Sequence, residues 1–545
     1  MLKNILVLGC AVLLIGGCGK VVEEPVLPPA AALAPVTSIQ VSATASTALL
    51  TWEAVPGAAT YYLYWSNTPG ITKYNAMRIA GVTSPYTHTS LVNGKSYYYT
   101  VTAAGLISPE SEVSVEVSAQ PQIKGELDTA FNSTGKIVIS NAAGGNGDDM
   151  VLSTAVDGDG KIVVTGGSMN AAANYDLVVW RYNADGTPDT SFGTNGVFIY
   201  RDGSAPVANE IGYGVAIDRS GRIVVTGGIT GTGGDLAVWR LKSNGTLDTS
   251  FNGSGLFSWN NSKLNDSDLG FGVAIDDRNR IVVCGSTVDH TTTSDLAVWR
   301  LNDSGLDTTF KGGVVICRDT AGGSGADVGR GVTIDNTGRI LVTGASENAA
   351  LNSDMVTWAF LSNGEFDGSF GSGGVVISNN TAGGNGDDSG LAIMVDRSNR
   401  VLVAGNSENS SHNDSLVVWY GLANGTADPA FGAGNSFVVY SNLAGGTGDN
   451  VAYGIGQDQA GKYVVSGFGK IAAGDQAIVA LRLNSDGTKD TSFGNNGVFT
   501  SVNTAGGTGN NLVLSQAIDN QGRLILAGFG QGSTGNIDGL LLRLK

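Results

Sequence analysis

Short apolar runs separated by Gly-rich turns recur along most of this chain. Residues 212–218, "GYGVAID", alternate between apolar and polar or small positions, as a half-buried strand does. After a turn at "RSG", residues 222–228, "RIVVTGG", form a nearly continuous apolar strand. Residues 235–241, "DLAVWRL", predict a third strand, and "LFSW" (256–259) a fourth. Between the third and fourth lies "TLDTSF", ending at Phe251. Near-copies end at Phe131, Phe192, Phe310, Phe370, Phe431 and Phe493, spaced 59 to 62 residues apart. Four short strands per unit, repeated at one period, predict a propeller blade rather than a helix–strand solenoid.

The two ends of the repeat region are complementary. The last unit stops at Lys545, directly after its third strand, whereas the first begins with a spare fourth-type strand, "GKIVIS" (135–140). A closed ring would pair 135–140 beside 539–544 and hide two sheet edges. First strands end at Asp157, Asp218, Asp276, Asp335, Asp396, Asp458 and Asp519, which predicts seven blades of four strands over 122–545. In the repeated phrase, Asp and Thr are expected to cap turn amides and Phe to bury where blades meet. This region resembles the bacterial delta-60 repeat and, more loosely, the NHL-type propeller blade. The resemblance implies a fold and brings no settled activity with it.

Residues 36–119 differ. Trp and Tyr cluster in "ALLTWEAVPGAATYYLYWS" and "LVNGKSYYYTVTAAG", with alternation bounded by Pro and Gly, which predicts an antiparallel sandwich. The stretch resembles a fibronectin type III domain. Trp52 matches its buried strand-B Trp, and Tyr61 to Tyr64 fall where its strand C would be. Leu91, Tyr97, Tyr99, Val101 and Ala103 match its L-x-x-G-x-x-Y-x-Y-x-V-x-A run, and the resemblance makes Tyr97 the tyrosine-corner residue. The expected fold class is therefore all-β: a fibronectin type III-like sandwich followed by a seven-bladed β-propeller.

The amino-terminal segment reads as targeting. Lys3 precedes an apolar run, Ile5 to Ile15, that is too short to span a bilayer. "LIGGC" then resembles the lipobox of bacterial lipoproteins. That resemblance implies a signal peptide over 1–17, cleavage before Cys18, and acyl chains on Cys18; Gly19 leans toward the outer membrane, facing periplasm or cell surface. Residues 18–35, rich in Pro and Ala, read as a tether. Membrane contact is thus expected through a lipid anchor.

Composition changes the picture in two ways. A net charge of −17 disfavours nucleic acid as a partner and favours cations or basic surfaces. Four cysteines, one of them Cys10 in the signal, are too few for a disulfide framework. Cys284 and Cys317, on either side of a third strand, are expected as free thiols.

Enzyme motifs are missing: no H-E-x-x-H, C-x-x-C or G-x-S-x-G occurs, and histidine is confined to His88, His290 and His412. One constellation remains. Eight residues before each strand-ending Asp stand Asp149, Glu210, Asp268, Asp327, Asp388, Asn450 and Asn511, mostly behind Gly-rich loops. Four residues before it come only Ser, Gly or Ala, as close approach of inner strands near an axis requires. A carboxylate ring at one channel mouth could hold a hard cation such as Ca²⁺; alternatively, each side chain caps its own loop. The function expected is non-enzymatic binding or scaffolding at the cell envelope, with a protein or glycan partner. A hydrolase or lyase using the ring and Ca²⁺, and a purely structural role, are the alternatives.

Overall fold

A computed structural model describes residues 31–44, 47–92, 95–121, 125–202, 208–230, 234–261, 267–288 and 293–545. The signal segment, Cys18, most of the tether and His290 lie outside them. The chain divides into two compact units, residues 1–122 and 123–545. No α-helix occurs among the described residues, and none of their helices is long and apolar enough to cross a membrane.

In the first unit, strands Gln40–Thr44, Thr47–Thr51 and Tyr86–His88 form one antiparallel sheet. Met77–Val82, Thr60–Ser66, Tyr97–Ala104 and Val117–Ala119 form the other. Their inner faces share one core containing Leu50, Trp52, Leu63, Tyr99 and Val101. The Tyr97 hydroxyl accepts the Val92 amide proton at 2.9 Å, which ties the preceding loop to the strand.

The second unit holds seven antiparallel sheets. Their first strands are Gly144–Val156, Asn209–Ile217, Leu269–Ile275, Gly322–Ile334, Gly383–Val395, Asn450–Gln457 and Gly506–Ile518. Each first strand packs against the next, and the seventh packs back on the first. The third sheet carries an additional short strand, Gly305–Leu306. The seventh sheet is completed by Lys136–Ile139, whose residues Ile139, Val138 and Ile137 pair with Gly539, Leu540 and Leu541. The closing pairing expected between 135–140 and 539–544 is therefore present.

The repeated Asp-x-Ser/Thr-Phe phrase straps neighbouring sheets together. Asp189 Oδ1 accepts from the Ser191 amide at 3.1 Å and hydroxyl at 2.6 Å, an Asx turn. Its Oδ2 accepts from Arg181 Nε at 2.8 Å. Arg181 lies over Phe192, Cζ 4.6 Å from the ring centroid, and donates through Nη1 to the Ser243 carbonyl of the next sheet at 2.5 Å. Arg240–Asp248–Phe251 and Arg300–Asp307–Phe310 repeat the arrangement. Each arginine–ring contact adds on the order of 1 kcal/mol. The fourth sheet has Ala359 where these arginines stand; there Arg339, just before the strand Ile340–Asn348, reaches Asp367 at 3.1 Å and lies over Phe370. The seven phrase Phe residues are all buried, each in a core formed between adjacent sheets, as are Trp180, Trp239, Trp299, Trp358 and Trp419.

Candidate functional site

Every first strand is interrupted at the same place. In the second sheet Gly212 pairs with Gly227 and Gly214 with Thr226, so Tyr213 is an extra residue between two ladder pairs. The same one-residue bulge falls on Leu152, Phe271, Arg330, Leu391, Tyr453 and Leu514 in the other sheets. A bulge bends its strand and re-aims the extra side chain. Close approach across the strand pair enforces it. A Cβ on Gly344 would meet the Val328 carbonyl oxygen at 1.8 Å, and one on Gly227 would meet that of Ile211 at 1.9 Å. Hence the repeated glycine after "VVT", "VVC" or "LVT" in the second strands.

The seven bulge residues line one central cavity of about 850 Å³. The small residues next to them let the strands converge on it. Val215 donates its amide to Ser153 Oγ at 3.2 Å, and Thr154 to Ser515 Oγ at 3.1 Å. A Cβ on Gly214 would lie 2.7 Å from the Phe271 carbonyl. Ala345, Ser353, Asn406, Asp414 and Phe468, at the junctions of second and third strands, also line the cavity.

The lining is chemically uneven. Tyr213 and Phe271 sit with ring centroids 5.4 Å apart, and Arg330 lies over Phe271 with Cζ 4.5 Å from the centroid. Tyr453 stacks on Phe468 at 6.1 Å. Burial, the largest cause, pulls the Arg330 guanidinium below its ordinary value, while Tyr453, Cys284 and Tyr213 act in the opposite sense. The side chain still touches the solvent held inside the cavity. Burial likewise raises the phenols of Tyr213 and Tyr453, keeping both protonated at neutral pH. Asp414 accepts from Asn406 Nδ2 at 2.9 Å; burial raises its carboxyl, reinforced by Asp449, Asp387 and Glu408.

The residues singled out as a cation ring lie elsewhere in the strand. Asp149, Glu210, Asp268, Asp327, Asp388, Asn450 and Asn511 are all buried to within 1% of full exposure loss, and each turns back onto its own loop. Asp149 accepts from the Asn141 amide at 2.7 Å, Glu210 from Asp202 at 3.0 Å, and Asp268 from Asn261 at 3.0 Å. Asp327 accepts from Asp319 at 2.9 Å and Asp388 from Asn380 at 2.8 Å. Asn450 and Asn511 take the Leu443 and Thr504 amides. Each carboxylate spends at least one oxygen on its own loop, while one oxygen each of Glu210, Asp268 and Asp388 is buried without a hydrogen-bond partner. Among the described residues no group of three His, Cys, Asp or Glu side chains could hold a metal ion. Burial pushes Glu210 up to about 7 and raises Asp268, Asp327 and Asp388 as well.

A family model described as a β-propeller domain of unknown function, DUF5122, matches residues 158–192, 219–251 and 461–493. Each matched span starts in the turn after a first strand and ends at a phrase Phe. The second unit is a β-propeller. Among solved structures, an Fn3-like protein from Clostridium thermocellum is 33% identical over 17% of this chain and 95% of its own, with a TM-score of 0.15. A protein of unknown function from Dyadobacter fermentans is 10% identical over 75% and 98%, with a TM-score of 0.37. A gluconolactonase from Xanthomonas campestris is 12% identical over 62% and 91%, with a TM-score of 0.31. No curated protein sequence matches the chain.

The propeller's cavity residues escaped the sequence reading, which stopped at positions eight and four residues before each terminal Asp. The bulge residues stand five before it. Their signal is variability in size and chemistry: Leu, Tyr, Phe, Arg, Leu, Tyr and Leu occupy this register position, whereas the next position holds only Ser, Gly or Ala. His88 belongs to the first unit, 3.1 Å from the Tyr99 hydroxyl, and exposed His412 contacts Glu408.

Proposed function

We propose that this protein is a non-enzymatic binding lipoprotein of the bacterial cell envelope, displaying a seven-bladed propeller on a fibronectin type III-type spacer, with a protein or glycan ligand received at the central cavity. One observation carries the binding assignment: seven bulges direct unlike side chains into a common space. The neighbouring position, whose task is close packing, holds only small residues around the ring, whereas recognition of an asymmetric ligand needs positions that differ. Aromatic and aliphatic side chains set among fixed polar groups such as Arg330, Asn406 and Asp414 also suit ligand recognition.

The remaining parts rest on separate supports. The seven packed sheets among the described residues support the blade count. Buried Trp52 and the Tyr97-to-Val92 hydrogen bond support the fibronectin type III reading. "LIGGC" supports lipidation at Cys18, and Gly19 supports the outer membrane. Replacing Cys18 with Ser should release the chain from membranes; continued membrane fractionation would place the anchor elsewhere.

The central test is a glycan and peptide screen on purified protein, run with metal analysis. Saturable binding without turnover, weakened at least tenfold by Tyr213→Ala or Tyr453→Ala, is the expected result. Turnover would instead favour a hydrolase or lyase, and neither binding nor turnover a structural component.

A further inference from the structure

Arg330, exposed to the cavity, differs from the arginines buried between the sheets. Arg181, Arg240, Arg300, Arg482 and Arg543 each face an aspartate at 2.9 Å or less. Arg330 has no hydrogen bond or ion pair from its guanidinium among the described residues; its one specific contact is the Phe271 ring. The groups around it supply no anion. Tyr213 and Tyr453 are held protonated, and burial keeps the Cys284 thiol protonated, pushed up to about 12. Asp414, the carboxylate that shares the cavity lining, is bonded to Asn406 and forms no ion pair with Arg330.

The Arg330 side chain is exposed to the cavity, so its guanidinium is open to a ligand rather than tied into the fold. Phe271 lies against the guanidinium, and among the described residues no protein acceptor takes its N–H donors. A planar fork of donors matches a carboxylate in bidentate fashion. Beside it, Phe271 and Tyr213 form an aromatic wall suited to a flat or weakly polar ring, and about 850 Å³ accommodates more than a bare ion.

We propose that the Arg330, Phe271 and Tyr213 corner of the cavity binds the carboxylate of a small ring-bearing acid. The assignment rests on the cavity being the recognition site. Two sources share this chemistry, an aromatic acid and a uronic acid unit of a glycan.

The test is calorimetric titration of the full chain in mild detergent with benzoate and with glucuronate. Benzamide and glucose are the neutral counterparts. At least one acid should bind saturably, one per chain, and at least tenfold more tightly than its counterpart; which acid binds identifies the source. Arg330→Met should weaken that binding at least tenfold. Arg330→Lys keeps the charge but loses the fork, so it should fall between the two. The Lys variant also decides the matter if the Met variant fails to fold. Equal affinity for acid and neutral counterpart, no binding of either acid, or undiminished binding in Arg330→Lys and Arg330→Met would each overturn the proposal. A neutral ligand whose binding is lost in Tyr453→Ala but unchanged in Arg330→Lys would overturn the acid assignment while leaving the cavity as the recognition site.

Discussion

Arg543 donates from Nε to Asp128 Oδ2 at 2.8 Å across 415 residues of sequence, and both side chains are buried. The same guanidinium lies 4.7 Å over Phe131 and donates to the Ala184 carbonyl in the first sheet. The strap that joins neighbouring sheets elsewhere thus also joins the last to the first. Breaking it leaves buried Asp128 with only the Ala130 amide and the more distant Arg523, at 3.8 Å, facing it. Arg543→Met should destabilise the propeller by about 3–5 kcal/mol in denaturant titration. Adding Asp128→Asn should recover part of that loss, because the stranded charge is removed. A double variant no more stable than the single would contradict this account.

Removal of residues 122–142 takes away Asp128, Phe131 and the closing strand together. It exposes the edge of the Ile537–Leu544 strand. Aggregation, or a large drop in the thermal midpoint, is expected by light scattering and calorimetry. An unchanged melting curve would show that the ring does not depend on this pairing.

Gly344→Ala should cost about 3 kcal/mol or more, because its Cβ meets backbone rather than a movable side chain. The strain falls beside Arg330, so a variant that still folds should show altered ligand binding. Gly253, whose Cβ would meet nothing, also needs a left-handed backbone at φ 73°, and Gly253→Ala should cost less. Equal costs would remove the bulge argument.

Asp388→Asn should stabilise the protein by on the order of 1 kcal/mol at pH 8. One Asp388 carboxylate oxygen is buried without a partner. At the same register position the Asn450 and Asn511 amides donate to the Gly448 and Gly509 carbonyls, at 2.8 and 2.7 Å. Burial raises the Asp388 carboxyl above its ordinary value of 3.8. The folded state therefore holds this proton more tightly than the unfolded one. The favourable contribution of the protonated form is complete below 3.8 and lost as pH rises through the higher folded value. The advantage of Asn should accordingly grow from pH 4 to pH 8; an advantage that shrinks would reverse the assignment.

Cys284 and Cys317 are free and buried. The strand Asp295–Asn302 runs between them, pairing Val298 with Cys284 and Leu296 with Cys317. Burial pushes each thiol up to about 12. Neither should react with iodoacetamide in folded protein at pH 8, and both should react after unfolding, read site by site by peptide mass spectrometry. A disulfide-linked peptide would contradict the strand order.

Repetition made the fold readable and hid the site. Seven copies of one phrase exposed the strand order and the closing pair, because each copy reports the same packing between sheets. The acidic positions left two readings open, because an aspartate before a Gly-rich loop looks alike whether its oxygens face solvent or turn amides; Asp149 and Asp388 each accept a turn amide. The bulge was invisible for a different reason. Alternation assigns faces by counting in twos, and one inserted residue such as Tyr213 or Arg330 resets the count without changing composition. The arginine of the strap was overlooked because its partner lies seven or eight residues away, across a turn, as in Arg300–Asp307.

The bulge separates two tasks that most strands must combine. Tyr213 and its six counterparts stand between ladder pairs, so their side chains can change while the glycines opposite hold the backbone in place. Seven sites on one rigid frame can then be altered one at a time, like interchangeable letters in a fixed line of type. A library restricted to residues 152, 213, 271, 330, 391, 453 and 514 would sample new specificities at little risk to folding, and descendants of one ancestral repeat could diverge in taste while keeping the same architecture.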